Sequence, residues 1–203
     1  MNKIDLKKEF SALYKATAKP LVIKVPKLRY LMIDGQGDPN TSQAFADAIT
    51  TLYGIAYTMK FMLKKGPEAI DFGVMPLEAV WWADDMNDFL KANKSNWKWT
   101  AMIMQPAFIT ATMVKAAKAE LARKKKELPA IGLIRLADMT EGACAQILHV
   151  GPYAAEGPTI TKLHAFIHEN GKSLRDKHRE IYLSDARRTP PEKLRTIIRQ
   201  PMG

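Results

Sequence analysis

The chain has 203 residues, 47% of them apolar, which suffices for one domain of ordinary size or two small halves around a sizeable core. Its apolar runs fall short of the ~18 residues a membrane span needs, and the opening MNKIDLKKEFSALYK lacks the apolar stretch of a secretory signal. The net charge of +10 is concentrated in the first 29 residues and in KAAKAELARKKK (115–126), without interleaved aromatics, helix-turn-helix or zinc-finger spacing. A solvated face is expected there, and no nucleic acid partner.

Taken in order, residues 1–20 read as a short amphipathic helix through Ile4, Leu6, Phe10, Leu13 and Tyr14, ended before Pro20. Residues 21–33 are strand-like, interrupted by Pro26, and lead into the turn Gly35-Gln36-Gly37-Asp38-Pro39. Asn40 or a neighbouring hydroxyl offers an N-cap, with Gln43 placed to complete a capping box. The longest helix follows: Phe45, Ile49, Leu52, Ala56, Met59 and Leu63 recur every three to four residues and share a face until Gly66-Pro67 stops it. Strands are expected over 72–83 and 97–105 with a polar loop between them. A second amphipathic helix spans 108–127, its cationic last turn suited to the negative end of the helix dipole. Residues 131–137 and 142–149 are two further strand candidates. A Gly-Pro turn, a helix closed by Asn170-Gly171, a strand carrying Glu180 and a last strand over 194–199 complete the chain.

This order contains a weak repeat. Strand, Gly turn, helix, strand and strand run from 28 to 105 and again from 143 to 199, and each half sets one glutamate inside an apolar-aromatic strand: Glu78 in LEAVWW, Glu180 in REIYLS. Two such units bury their sheets by covering one face with helices, and the seam between halves is a natural ligand cleft. A carboxylate in such a strand either faces water or is held where its charge has a task. Cys144 lies in an apolar run and cannot form an internal disulfide, so a cytoplasmic, reducing location is expected. His164 and His168 lie at i, i+4 without a third ligand, and no metal or other cofactor is expected. A Ser-His-Asp order and a cysteine in a basic setting are also missing, which argues against the usual hydrolase designs.

Several segments resemble the GyrI-like small-molecule-binding domain in its stand-alone form: HVGPY (149–153), ENG (169–171), HREIYLSD (178–185), PEKLRT (191–196), YLMIDGQGDP (30–39) and PLEAVWWADD (76–85). The likeness covers nearly the whole chain. It implies an α+β fold of two pseudo-symmetric β-α-β-β (SH2-like) repeats, forming a curved antiparallel sheet groove lined by aromatics, with helices on the outer face. The boundaries would be a single domain over 1–203: an N-terminal helix 1–20, a first repeat 21–106, a connecting helix and strand 107–138, and a second repeat 139–203. Sensor members carry an added helix-turn-helix module; none of that size is seen here, so a transcriptional role ranks low. Gyrase inhibition rests on the family name alone.

With that resemblance in hand, Glu180 is the first candidate for the functional carboxylate. Strand alternation puts Glu180, Tyr182 and Ser184 on one face and Ile181 and Leu183 on the other. The Ile/Leu face is expected to pack on helices, leaving Glu180 toward the groove with its pKa raised by burial. Tyr153 is the second catalytic candidate, steering water or holding a ligand carbonyl. Candidate ligand contacts are Trp81 and Trp82 (one of which lines the groove), Tyr57, Phe61, Glu78, His149 and Tyr182. Glu78 and His149 have structural alternatives as an ion-pair partner and a satisfied core histidine. Indole faces suit planar or cationic molecules. The partners expected are therefore hydrophobic or cationic planar small molecules, with no membrane and no defined oligomer. Stand-alone members are similar to proteins that hydrolyse cyclopropanoid DNA-alkylating toxins. The alternative is a non-catalytic multidrug-binding protein that sequesters its ligands.

Overall fold

A computed structural model describes residues 2–84, 94–124 and 126–203; most of the expected polar loop, with Asp85 of the family-like segment, and Lys125 of the basic run lie outside them. Among the described residues the elements are β1 (Asn2–Ile4), α1 (Leu6–Glu9), α2 (Ser11–Tyr14), β2 (Leu21–Gln36), α3 (Gln43–Lys65), β3 (Ile70–Phe72) and β4 (Leu77–Trp82). After these come β5 (Lys98–Gln105), α4 (Ala111–Arg123), β6 (Arg135–Val150), α5 (Gly157–Glu169), β7 (His178–Tyr182) and β8 (Arg195–Pro201). The protein is thus α+β on mainly antiparallel strands. It divides into two compact units: Met1–Glu9, Leu28–Leu77 and Trp81–Met139 form the first, and Phe10–Lys27, Glu78–Val80 and Thr140–Gly203 form the second.

In the first unit, β5 lies between β2 and β4. The β2–β5 ladder is antiparallel from Arg29↔Gln105 to Gln36↔Lys98. The Gly35↔Trp99 pair in that ladder explains why residue 35 has no side chain: a Cβ there would stand 2.2 Å from the Trp99 ring. Helix α3 presents Phe45, Ala48, Leu52, Ile55, Ala56 and Met59 as its buried stripe, as the periodicity requires, and Phe45 sets its ring against Trp81 and Trp99. The N-cap is Ser42, whose hydroxyl accepts from the Phe45 N–H. Asn40 is held in a turn by Asp38, and Gln43 bonds Asp47 rather than closing a capping box, because it is the first helical residue and not the third. Asp71 of β3 ties to Lys60 and Lys64 of α3 at 3.0 and 2.9 Å.

Three expectations change. Residues 1–20 do not form one helix: Asn2–Ile4 pairs in parallel with Ile70–Phe72, and the remainder folds into two single turns that bury Leu6, Leu13 and Tyr14. Helices of four residues each cannot nucleate lasting structure alone, so tertiary pairing decides. Pro26 does not interrupt β2, where it is exposed; a missing N–H harms a strand only where that N–H would meet a neighbour. The segment 131–149 holds a single strand that begins at Arg135 and continues through Gly142, whose φ of 73° is one that glycine adopts without a Cβ penalty.

In the second unit, Glu78–Val80 of β4 is followed across the sheet by β7, β8 and β6. Both β6–β8 and β7–β8 are antiparallel. Helix α5 ends as expected at Asn170-Gly171. Gly171 is left-handed at φ 68°, and the Gly171 and Lys172 N–H groups return to the His168 and Ile167 carbonyls. Leu163 and Ile167 of α5 pack on Ala145, Ile147, Ile198 and Met202.

Candidate functional site

The second unit's sheet has two faces of different chemistry, sorted by the alternation of β7. Arg179 and Ile181 are fully buried, while His178, Glu180 and Tyr182 are half-buried. Glu180 stands opposite Ile198, which stands opposite Ile147, so all three share the face that α5 covers. Arg179 stands opposite Arg199, on the reverse face with Gln146. The expected assignment of faces is therefore reversed: the Glu180/Tyr182 face carries the helix, and the Arg179/Ile181 face does not look onto it. The cause is Arg179, a fixed cation that its neighbours on the other face neutralise.

That neutralisation is complete enough to be a core. Arg179 Nη1 donates to Glu78 Oε2 at 2.7 Å, and its Nε lies 2.9 Å from Glu141 Oε1. The Tyr14 hydroxyl donates to Glu78 Oε1 at 2.6 Å, and Arg199 Nη1 lies 3.4 Å from Glu141 Oε2. Arg199 also donates to the Leu13 carbonyl and to Gln146, whose amide turns to the Ala12 and Lys15 carbonyls. Glu78 is 0% exposed and sits at the centre of this lattice, the ion-pair role that the sequence left as an alternative to ligand contact.

The helix-side cluster is built differently. Glu180, with 14% of its side chain exposed, accepts from the Tyr182 hydroxyl at 2.7 Å and has His178 Nε2 3.4 Å from Oε1. The Tyr182 ring meets Tyr153 edge-on at 5.6 Å between centroids. Glu156, immediately before α5, is buried. Burial pushes the Glu180 carboxyl up, but the His178 ring, the Tyr182 hydroxyl and the Glu156 carboxyl together outweigh it and hold the group below the usual carboxylate range. The expected rise is thus corrected: desolvation is present, and donors aimed at the anion overcome it. The Tyr153 hydroxyl is pushed up to about 12 by burial and by the charges of Glu180, Glu156 and Asp185, so it stays a donor at neutral pH. His164 of α5 is lowered by burial and by His178, which favours its neutral ring.

His149 fastens the turn that presents Tyr153: Nδ1 is 3.0 Å from the Thr159 hydroxyl and Nε2 is 3.2 Å from the Pro152 carbonyl. Gly151, at φ 135°, permits that bend. Glu180, Tyr182, Tyr153 and His149 are all in the second unit. In the first, Trp81 is buried between Phe45 and Trp97, and Trp82 is half-buried. Tyr57 and Phe61 stack along α3, 47% and 49% exposed. Glu156 was not foreseen. The only local sign of it is an acidic residue before Gly-Pro at a helix start, a position where glutamate is common for reasons of helix polarity. Among the described residues no cluster of three His, Cys, Asp or Glu could hold a metal, and no helix is long and apolar enough to cross a membrane.

An α+β protein that offers one anionic carboxylate among phenol donors and aromatic edges has the chemistry of small-molecule recognition. The chain belongs to the GyrI-like family, matching its small molecule binding domain over residues 19–202. It is similar to a hydrolase from Listeria innocua at 37% identity, over 98% of this chain and all of that one, with a TM-score of 0.87. An uncharacterized conserved protein from Listeria innocua superposes at 37% identity with a TM-score of 0.89, over 98% of this chain and all of that one. The C-terminal domain of EcmrR shares the fold at 14% identity and a TM-score of 0.56, covering 91% of this chain and 97% of that domain. No curated protein matches.

Proposed function

We propose that this protein binds hydrophobic, planar, often cationic small molecules and hydrolyses those that carry a strained cyclopropane, with Glu180 as the functional carboxylate. The observation that carries the reading is Glu180 itself: a partly exposed anion, its charge favoured by Tyr182 and His178, with the Tyr153 phenol close by. The 37% identity to a hydrolase of the same fold supports turnover. The reading also takes β2-α3-β4-β5 and β6-α5-β7-β8 as two related β-α-β-β repeats, which their similar element order supports once the short β3 between α3 and β4 is set aside. Trp81, Trp82, Tyr57 and Phe61 are its candidate ligand contacts in the first unit.

In the reaction, the oxygen of a water molecule bonds to the strained carbon as the ring C–C bond breaks. The released electron pair moves onto a carbonyl oxygen conjugated with the ring, and that oxygen takes up a proton. Glu180 accepts the water's proton or orients the water; Tyr153 donates a hydrogen bond to the oxygen as its charge develops. Ring strain already lowers the barrier, so one carboxylate and one donor are enough.

The same site supports a second reading, binding without turnover. It is favoured by the lowering of Glu180, which makes the group a steadier anion and a weaker base. Incubation with a cyclopropane-bearing alkylator, read by mass spectrometry, separates the two. A product heavier by one water that disappears in Glu180→Gln supports hydrolysis; tight binding of unchanged compound supports sequestration.

A further inference from the structure

On the helix-covered face of the second unit, Tyr182 of β7, Thr196 of β8 and His149 of β6 stand side by side, because Thr196 is the register partner of both others. Residues paired in this way have Cβ atoms ~5 Å apart. The turn that His149 fastens carries Tyr153, whose ring comes back to Tyr182. Four side chains thus close a circuit, and Glu180 lies on the same face two residues before Tyr182.

Thr196 is 1% exposed, and its Oγ1 meets no hydrogen-bond partner among the described residues. The polar atoms of its two register partners are engaged elsewhere. The Tyr182 hydroxyl donates to Glu180, and the His149 ring nitrogens meet Thr159 and the Pro152 carbonyl. Buried hydroxyls nearly always have a partner, and one left without it destabilises the fold. Valine fills nearly the same volume, suits a strand equally, and has no hydroxyl to desolvate. The next residue along this face of β8 is the apolar Ile198, opposite Ile147, so valine at 196 would continue that packing. A polar atom kept at such a cost beside a binding site points to a partner that arrives with the ligand.

We infer that Thr196 is a specificity-determining residue of the Glu180 site, its hydroxyl joining Tyr153 in donating to a carbonyl oxygen of the bound planar molecule. Glu180 is an acceptor and takes the donor or cationic groups of a ligand; the Thr196 hydroxyl supplies a proton to a ligand acceptor. Tyr153, 36% exposed on its turn, touches Tyr182 only by an edge, and a planar ligand reaches Thr196 by turning that ring aside. The inference deepens the function proposed above and rests on it, narrowing the ligand class to flat molecules with a ring-conjugated carbonyl. A site built to bond an oxygen discriminates against the analogue lacking it, because its own hydroxyl is then left without a partner.

The test uses two flat neutral probes, fluorenone and fluorene, which differ by a carbonyl oxygen in place of two hydrogens, and ethidium as a planar cation. Equilibrium dialysis measures each against wild type, Thr196→Val and Thr196→Ser. Wild type should bind fluorenone about tenfold more tightly than fluorene. Thr196→Val should bind the two alike, and Thr196→Ser should keep the preference. The same preference in wild type and Thr196→Val, or none in wild type, overturns the inference. Binding of ethidium without either neutral probe overturns it alone, whereas binding of none of the three overturns the proposed function as well. Urea unfolding reads the hydroxyl with no ligand present: Thr196→Val should be at least as stable as wild type. A lower midpoint would mean that the hydroxyl has a partner inside the fold, and the inference would fall.

Discussion

Tyr182 and Glu180 are two residues apart on β7, and the tyrosine hydroxyl donates to Glu180 Oε2 across 2.7 Å. Strand alternation alone places both on one face; the hydrogen bond turns that coincidence into a device that favours the anion. Because the folded-state pKa of Glu180 is lowered, the anion is present at neutral pH and is lost only as pH falls through that lowered value. Tyr182→Phe removes one donor to a charged acceptor, an interaction of about 1.5–3 kcal/mol, or about one to two pH units. Fluorescence titration of a planar cation against pH should show binding lost at a correspondingly higher pH in Tyr182→Phe, with little change at pH 7.

The Tyr153 phenol, pushed up to about 12, remains protonated well past pH 9. If it donates to the oxygen that gains charge during ring opening, Tyr153→Phe should lower kcat about a hundredfold with KM nearly unchanged. Steady-state kinetics on a cyclopropanoid compound provide the check. A rise in KM alone would assign Tyr153 to binding.

What the sequence could and could not disclose divides along physical lines. Helix α3 was legible because Phe45, Leu52, Ala56 and Met59 repeat locally, and α5 was legible because Asn170-Gly171 closes a helix by backbone chemistry that needs no distant partner. The sharing of one face by Glu180 and Tyr182 followed from the pleat. Which face carries the helix did not: it depends on Arg179 meeting Glu78, 101 residues away, and Glu141. The N-terminal strand was hidden for the same reason, since Ile4 pairs with Phe72.

The Arg179 lattice should dominate the stability of the second unit. Arg179→Met leaves Glu78 and Glu141 buried without their shared cation, and breaking a buried pair from one side costs about 3–5 kcal/mol. Urea unfolding should show the loss as a lower midpoint. A cost below about 1 kcal/mol would mean that the lattice is replaceable by apolar packing.

Asp71 provides a separate pH signature. Hydrogen bonds from Lys64 and Lys60 pull its carboxyl down to about 2, below the ~3.9 of an unfolded chain. Its contribution is therefore fully present above about pH 4 and is lost as pH falls toward about 2. Asp71→Asn should unfold more readily than wild type at pH 5, and the gap between them should close by pH 2, as followed by circular dichroism.

The most direct measurement is a crystal structure of the protein with a bound planar cation. The account predicts the cation within a few ångströms of the Glu180 carboxylate, with Tyr153 against its edge. A ligand seated elsewhere, with Glu180 still turned to Tyr182 and His178 and untouched by it, would contradict the account.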